Sequence, residues 1–106
     1  MSSPKEFFEQ RLAQKLKDEP DLAHKINAVY QFNIEGDSGG DWTVDLTEPE
    51  VRSGRAAHAN CTVTVGDEDF MKIVGGQLNA QMAFMSGKLK IGGDLSLAMK
   101  LADLFK

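Results

Sequence analysis

The stretch Ala28-Val29-Tyr30-Gln31-Phe32-Asn33-Ile34-Glu35-Gly36-Asp37-Ser38-Gly39-Gly40-Asp41-Trp42-Thr43-Val44-Asp45-Leu46 decides the fold. Ala28, Tyr30, Phe32 and Ile34 fall on every second position and so share one face of an extended segment. Trp42, Val44 and Leu46 alternate in the same way. The glycines and polar residues between the two runs supply the turn, and the pair predicts an antiparallel hairpin.

Towards the C-terminus, 51–55 reads as a short third strand. The stretch 57–65 reads as a fourth, with Ala57, Ala59, Cys61, Val63 and Val65 on one side and His58, Asn60, Thr62 and Thr64 on the other. After Gly66 the period changes. Asp67 is expected to cap a helix that buries Phe70, Ile73 and Val74 and stops at Gly75-Gly76. Asn79 is expected to cap a second helix, carrying Met82, Phe84 and Met85 and closed by Gly87. Leu89 and Ile91 alternate with Lys88 and Lys90 as a brief strand, and Asp94 caps a last helix running to Phe105. Towards the N-terminus, Ser3-Pro4-Lys5-Glu6 has a capping Ser, Pro at the first helical position and Glu three residues after the cap. Phe8, Leu12 and Leu16 then recur every fourth residue, Pro20 ends the helix, and a short helical turn covers 21–26. An open sheet with helices before and after it is an α+β arrangement, and 106 residues suffice for a single domain over 1–106.

Composition narrows the function. With 42% hydrophobic and 26% charged residues the chain is an ordinary globular one. Its longest apolar run, Met82 to Met85, is far below the roughly 20 residues of a membrane span. A net charge of −4 argues against a nucleic-acid partner, which needs clustered Lys and Arg. The first residues lack the apolar region of a secretory signal, and the lone Cys61 fits a reducing compartment, so the expected location is cytoplasmic. Charge is unevenly spread. The stretch 35–50 carries Glu35, Asp37, Asp41, Asp45, Glu48 and Glu50 with no basic residue, whereas 86–106 carries four Lys against two Asp. Two readings stand: chance asymmetry on a solvated surface, or a mildly basic face that meets anionic lipid headgroups.

No catalytic constellation emerges. His24 and His58 have no neighbour at metal-ligand spacing, Cys61 lies on an apolar strand face, and Gly75-Gly76 and Gly92-Gly93 read as element ends. Asp67-Glu68-Asp69 opens a helix, where acids complement its dipole. Neither a metal nor a cofactor is expected.

The last helix is the informative one. At 100° per residue, Ser96, Lys100 and Asp103 fall within an arc of roughly 60° and nearly every other position is apolar. That is wider than the stripe of an ordinary surface helix. Met71, Met82, Met85 and Met99 also cluster in the final third, and thioethers suit a surface that repacks around varied guests. Plain core packing accounts for the same facts.

The run Gly75-Gly76-Gln77-Leu78-Asn79-Ala80-Gln81-Met82-Ala83-Phe84-Met85-Ser86-Gly87-Lys88-Leu89-Lys90-Ile91-Gly92-Gly93-Asp94, with Asp69-Phe70 before it and Leu97-Ala98-Met99-Lys100-Leu101 after it, resembles the C-terminal half of sterol carrier protein-2-like lipid-binding domains. It is especially similar to the copy in hydroxysteroid-dehydrogenase-like proteins. The hairpin strands match the family's first two strands, so the resemblance spans about residues 4–105. It implies a five-stranded mixed sheet covered by helices, with a hydrophobic tunnel between the sheet and the C-terminal helices. It further implies non-catalytic binding and intracellular transfer of fatty acids, fatty acyl-CoA, sterols or phospholipids. The expected partner is that lipid, carried by a monomer in transient contact with membranes.

Carried onto this chain, the resemblance implies a lining of Phe32, Ile34, Trp42, Val44 and Leu46 from the strands and Ile73, Leu78, Met82, Met85, Leu101, Leu104 and Phe105 from the helices. His24, Lys25 and Ile26 lie where some relatives hold a lipid headgroup; Lys25 is then a carboxylate partner, or simply a solvated lysine. The chain departs from the family at Ala80, where Pro is frequent, and at Met85, where some members have an aromatic. Its ending, Leu104-Phe105-Lys106, is not the peroxisomal tripeptide many relatives carry. The reading from another class is an interaction module that dimerises or docks through Leu101, Leu104 and Phe105.

Overall fold

Five strands form one sheet in the order β3-β2-β1-β4-β5, in a computed structural model that describes residues 3–105. Lys106, which belongs to both the basic stretch and the C-terminal tripeptide, lies outside the described residues. The strands are β1 Val29–Glu35, β2 Gly40–Asp45, β3 Glu50–Ser53, β4 Cys61–Gly66 and β5 Leu89–Gly93. β1 pairs antiparallel with β2, as the alternation and the Gly-rich turn predict, and parallel with β4; the outer pairs are antiparallel. The sheet is therefore mixed. The register sets Trp42, Phe32, Val63 and Ile91 side by side in one row across it. That row is packed at Trp42, Phe32 and Val63 and half-buried at Ile91 on the β5 edge, and beyond Trp42 it ends at exposed Ser53 on β3.

Cys61, not Ala57, begins β4. Residues 57–60 run past the start of β1, where no backbone ladder is available. Asn60 instead ties the entry to β1, its amide donating to the Val29 carbonyl and its side chain accepting from the Val29 amide, each at 2.9 Å. The sheet's other face is closed by polar chemistry. Buried Gln31 accepts from the Ala56 amide at 2.7 Å and from the Thr43 hydroxyl at 3.1 Å, and no buried side-chain polar atom among the described residues lacks a partner.

The N-terminal helix runs through α1 (Pro4–Glu6), a π-helical segment (Phe7–Leu12) and α2 (Ala13–Asp18), followed by α3 (Pro20–Ile26). Ser3 caps it as expected, accepting from the Glu6 amide. The wider π pitch is the part that a strict four-residue stripe missed. It turns Phe7 inward as well as Phe8, Leu12 and Leu16, and all four are buried. Phe7 and Phe8 then pack with Phe32, Trp42, Phe70 and Phe105, ring centroids 4.9–6.1 Å apart. This aromatic cluster fills the space over the central strands.

Asp67 is the first residue of α4 (Asp67–Val74) instead of its cap. Its carboxylate accepts from the Ser38 amide at 2.9 Å and so clamps the β1–β2 turn. Gly36 in that turn has φ +106°, and a Cβ there would lie 2.4 Å from an Asp67 carboxylate oxygen. Asn79 does cap α5 (Ala80–Met85), accepting from the amides of Gln81 and Met82.

The last helix is broken. Asp94 caps α6 (Leu95–Ala98) as predicted, but α7 (Leu101–Phe105) is a separate turn. The cause lies on β1: buried Tyr30 donates its phenol hydrogen to the Leu97 carbonyl at 2.6 Å, and that carbonyl also accepts from the Lys100 amide at 3.1 Å. An acceptor engaged in this way closes a tight turn instead of continuing the ladder to Leu101. Burial raises the Tyr30 pKa far above its ordinary value, so the phenol keeps its proton. Tyr30→Phe removes one buried hydrogen bond but leaves the carbonyl its Lys100 partner. A loss of about 1 kcal/mol in a urea melt is expected, together with faster amide exchange at Lys100 and Leu101.

Candidate functional site

Where the row across the sheet reaches β5, the helices above it are too short to cover it. A half-open groove of about 460 Å³ results, bordered by β5, α5, α6 and α7. Leu89 and Ile91 contribute from the strand, Ala80, Gln81 and Phe84 from α5, and Leu95, Ala98, Met99, Leu101 and Ala102 from the broken terminal helix. None of the lining side chains is charged. Two of its polar groups are already engaged: Asn79 caps α5, and the Ser96 hydroxyl donates to Asp94 at 2.6 Å. The carboxyl of Asp94 is held below the usual carboxylate range by the Ser96 hydroxyl and amide. The groove thus offers a guest apolar contact and little hydrogen bonding.

The surface around it is unusual. Exposed large apolar side chains among the described residues are Met82 (67%), Phe84 (43%), Met85 (77%), Leu95 (56%) and Met99 (74%). All lie on α5 or on α6 and the residue after it. Single exposed apolar residues need no explanation, but a cluster of five does, and three of these, Phe84, Leu95 and Met99, line the groove from opposite sides.

The residues named from the sequence are divided among the groove, a second hollow, the packed core and the exposed surface. Leu101 lines the groove. Ile73, Leu78 and Phe105 border a second hollow, which shares Asn79, Ala80 and Ala102 with the first. Phe32, Ile34, Trp42, Val44, Leu46 and Leu104 are buried in the packed core, and Ile26 is buried at the end of α3. Over the central strands, where the tunnel was expected, the rings of Phe7, Phe8, Phe70 and Phe105 occupy the space. Met82 and Met85 stand outside the lining on the exposed side of α5, because Ala83 is the residue that α5 buries. Lys25 is exposed on α3 and borders neither hollow. Leu101, Leu104 and Phe105 are buried within the chain, so these three do not themselves present a free face for docking.

Sequence reading missed Phe84, Leu95, Ala98, Met99 and Ala102 as lining. The signal for the last four was the breadth of apolar positions on the terminal helix; Phe84 lies on α5, beside the residues named there. Once Leu97, Leu101 and Leu104 face inward, Leu95 and Met99 are left on a second apolar face.

Cys61 is buried and its thiol is pushed up to about 11, chiefly by burial, so it stays protonated at neutral pH. Among the described residues no group of His, Cys, Asp and Glu could hold a metal ion, and no helix is long and apolar enough to cross a membrane.

The sequence pattern described as the SCP-2 sterol transfer family matches residues 8–106. The chain belongs to that family. Its relatives include hydroxysteroid dehydrogenase-like protein 2 of Rattus norvegicus, 41% identical over 95 residues that cover 84% of this chain and 17% of the relative. Peroxisomal multifunctional enzyme A of Dictyostelium discoideum is 43% identical over 90 residues, covering 81% of this chain and 20% of that protein. The chain therefore spans only a small part of the length of these curated relatives. Among solved structures, palmitated SCP2L2 from Aedes aegypti superposes with a TM-score of 0.78 at 36% identity, covering 94% of this chain and 92% of the other. The five-stranded mixed sheet with its helices is the SCP2 architecture that the sequence resemblance implied.

Proposed function

We propose that this chain is a non-catalytic carrier that holds one long-chain lipid in the groove between α5, β5 and the α6–α7 pair. The observation that carries the reading is the meeting of exposed Phe84, Leu95 and Met99 in the walls of that groove, none of whose lining side chains is charged, with Met82 and Met85 exposed beside Phe84 on α5. A volume of about 460 Å³ lies within the range of small-molecule sites, roughly 300–1,000 Å³. The palmitate on the Aedes aegypti relative supports a fatty acyl chain as one ligand. Fatty acids, fatty acyl-CoA, sterols and phospholipids are the classes we assign.

The energetics suit exchange. Removing a chain of about 16 methylenes from water gains on the order of 13 kcal/mol, at about 0.8 each. From a bilayer the same chain gains almost nothing, because it is already out of water there. Transfer between membrane and groove is then nearly balanced, and the exposed methionines adapt to guests of different shape. The protein works as a monomer that touches membranes transiently. We assign it an intracellular place, cytoplasmic on the sequence reading, with the peroxisome suggested by the name of the Dictyostelium relative.

The test is a titration of delipidated, folded protein with a fluorescent 16-carbon fatty acid. Saturable binding, competed by unlabelled palmitate, is expected. Folded protein that shows neither saturation nor competition overturns the carrier reading.

A further inference from the structure

The second hollow, about 440 Å³, shares Asn79, Ala80 and Ala102 with the groove. It is bordered by the apolar side chains of Ile73, Val74, Leu78 and Phe105 and by Arg11. Arg11 is the one charged side chain that lines either hollow. Among the described residues it makes no ion pair; its guanidinium lies over the Phe7 ring, 5.9 Å from the centroid. A ring face steadies a guanidinium without using its N–H donors, so the fork remains free for an oxyanion.

We infer that the preferred ligand is an anionic amphiphile whose headgroup, a carboxylate or a phosphate, sits at Arg11 and whose chain crosses Ala80 and Ala102 into the groove. The inference rests on the carrier reading above and adds an orientation and a charge preference to it. Charge complementarity is its ground: Arg11, which makes no ion pair among the described residues, borders one of two hollows that share Asn79, Ala80 and Ala102, and every other side chain lining them is uncharged. Lys25, at the headgroup position implied by family resemblance, borders neither hollow. Glu6, Asp18, Glu19 and Lys15, the last paired with Glu19, border the shallow hollows that Arg11 also lines, and the net negative charge there limits the size of the effect.

The experiment compares hexadecanoate, hexadecyl phosphate and hexadecanol as ligands for the unsubstituted chain, Arg11→Gln, Arg11→Lys and Lys25→Gln, with melting curves confirming that each is folded. Arg11→Gln is expected to weaken at least one anion about tenfold while hexadecanol stays within about twofold, since a charge-assisted bidentate contact is lost and apolar contact is kept. Whichever anion loses more identifies the headgroup. Arg11→Lys recovers part of the loss, and Lys25→Gln changes none of the ratios. An anion-to-alcohol ratio unchanged by Arg11→Gln, or shifted by Lys25→Gln instead, overturns the inference while leaving the carrier reading intact. If the unsubstituted chain binds none of the three, the carrier reading itself fails.

Discussion

Phe8→Ala is expected to destabilise the protein by about 3–5 kcal/mol, the cost of deleting a buried aromatic ring from a packed core. Phe8 is fully buried and its ring lies 4.9–5.3 Å from those of Phe7, Phe32, Trp42 and Phe70. Each well-oriented aromatic pair adds about 0.5–1.5 kcal/mol beyond area burial, and four of them meet at this residue. Against a typical total of about 5–15 kcal/mol, the loss places the variant near the threshold of folding. In a thermal melt it corresponds to a drop of roughly 12–40 °C, at about 4–8 °C per kcal/mol for a domain of this size. A change below about 1 kcal/mol would mean that the rings do not pack as described and that the space over the central strands is not filled.

Ala102→Trp is the second large effect, and it falls on binding. Ala102 is exposed on α7 and borders both hollows, so an indole there occupies their junction. If it denies the ligand about three methylenes of contact at about 0.8 kcal/mol each, affinity falls by about 2.4 kcal/mol, roughly fiftyfold. Stability changes little, because the side chain replaced is already solvent-accessible and only a few tenths of a kcal/mol of helix propensity are lost. Fatty-acid titration beside a melting curve separates the two readouts. Unaltered affinity in the folded variant would place the chain elsewhere.

Much of the fold was legible because it follows from local chemistry. The β1–β2 hairpin reads from alternation around a glycine turn, and the caps at Ser3, Asn79 and Asp94 are side chains whose acceptors find the next amides. What was not legible arises from contacts distant in sequence. Tyr30 breaks the terminal helix at Leu97, 67 positions away, and no window of helical periodicity contains both residues. The π-helical turn that brings in Phe7 likewise reflects ring packing against Phe70 and Phe105.

The candidate site was harder for the same reason. Periodicity separates apolar from polar faces, and it marks Trp42, Val44 and Met82 as equally apolar. It does not tell which apolar face another element covers. Trp42 is covered by Phe8 and donates to Glu9 at 3.0 Å, whereas Met82 has nothing over it. The groove lies at the edge strand because α5, α6 and α7 are short, and their lengths follow from Gly87, from the Asp94 cap and from the engaged Leu97 carbonyl.

The most direct measurement is a two-dimensional NMR titration of isotope-labelled protein with palmitate. Lipid lying along β5 and the short helices shifts the signals of Ala80, Phe84, Ile91, Ala98, Met99 and Ala102 while those of Val44 and Leu46 stay in place. Shifts confined to the interior of β1 and β2, with the α5 and α6 signals unmoved, would contradict it.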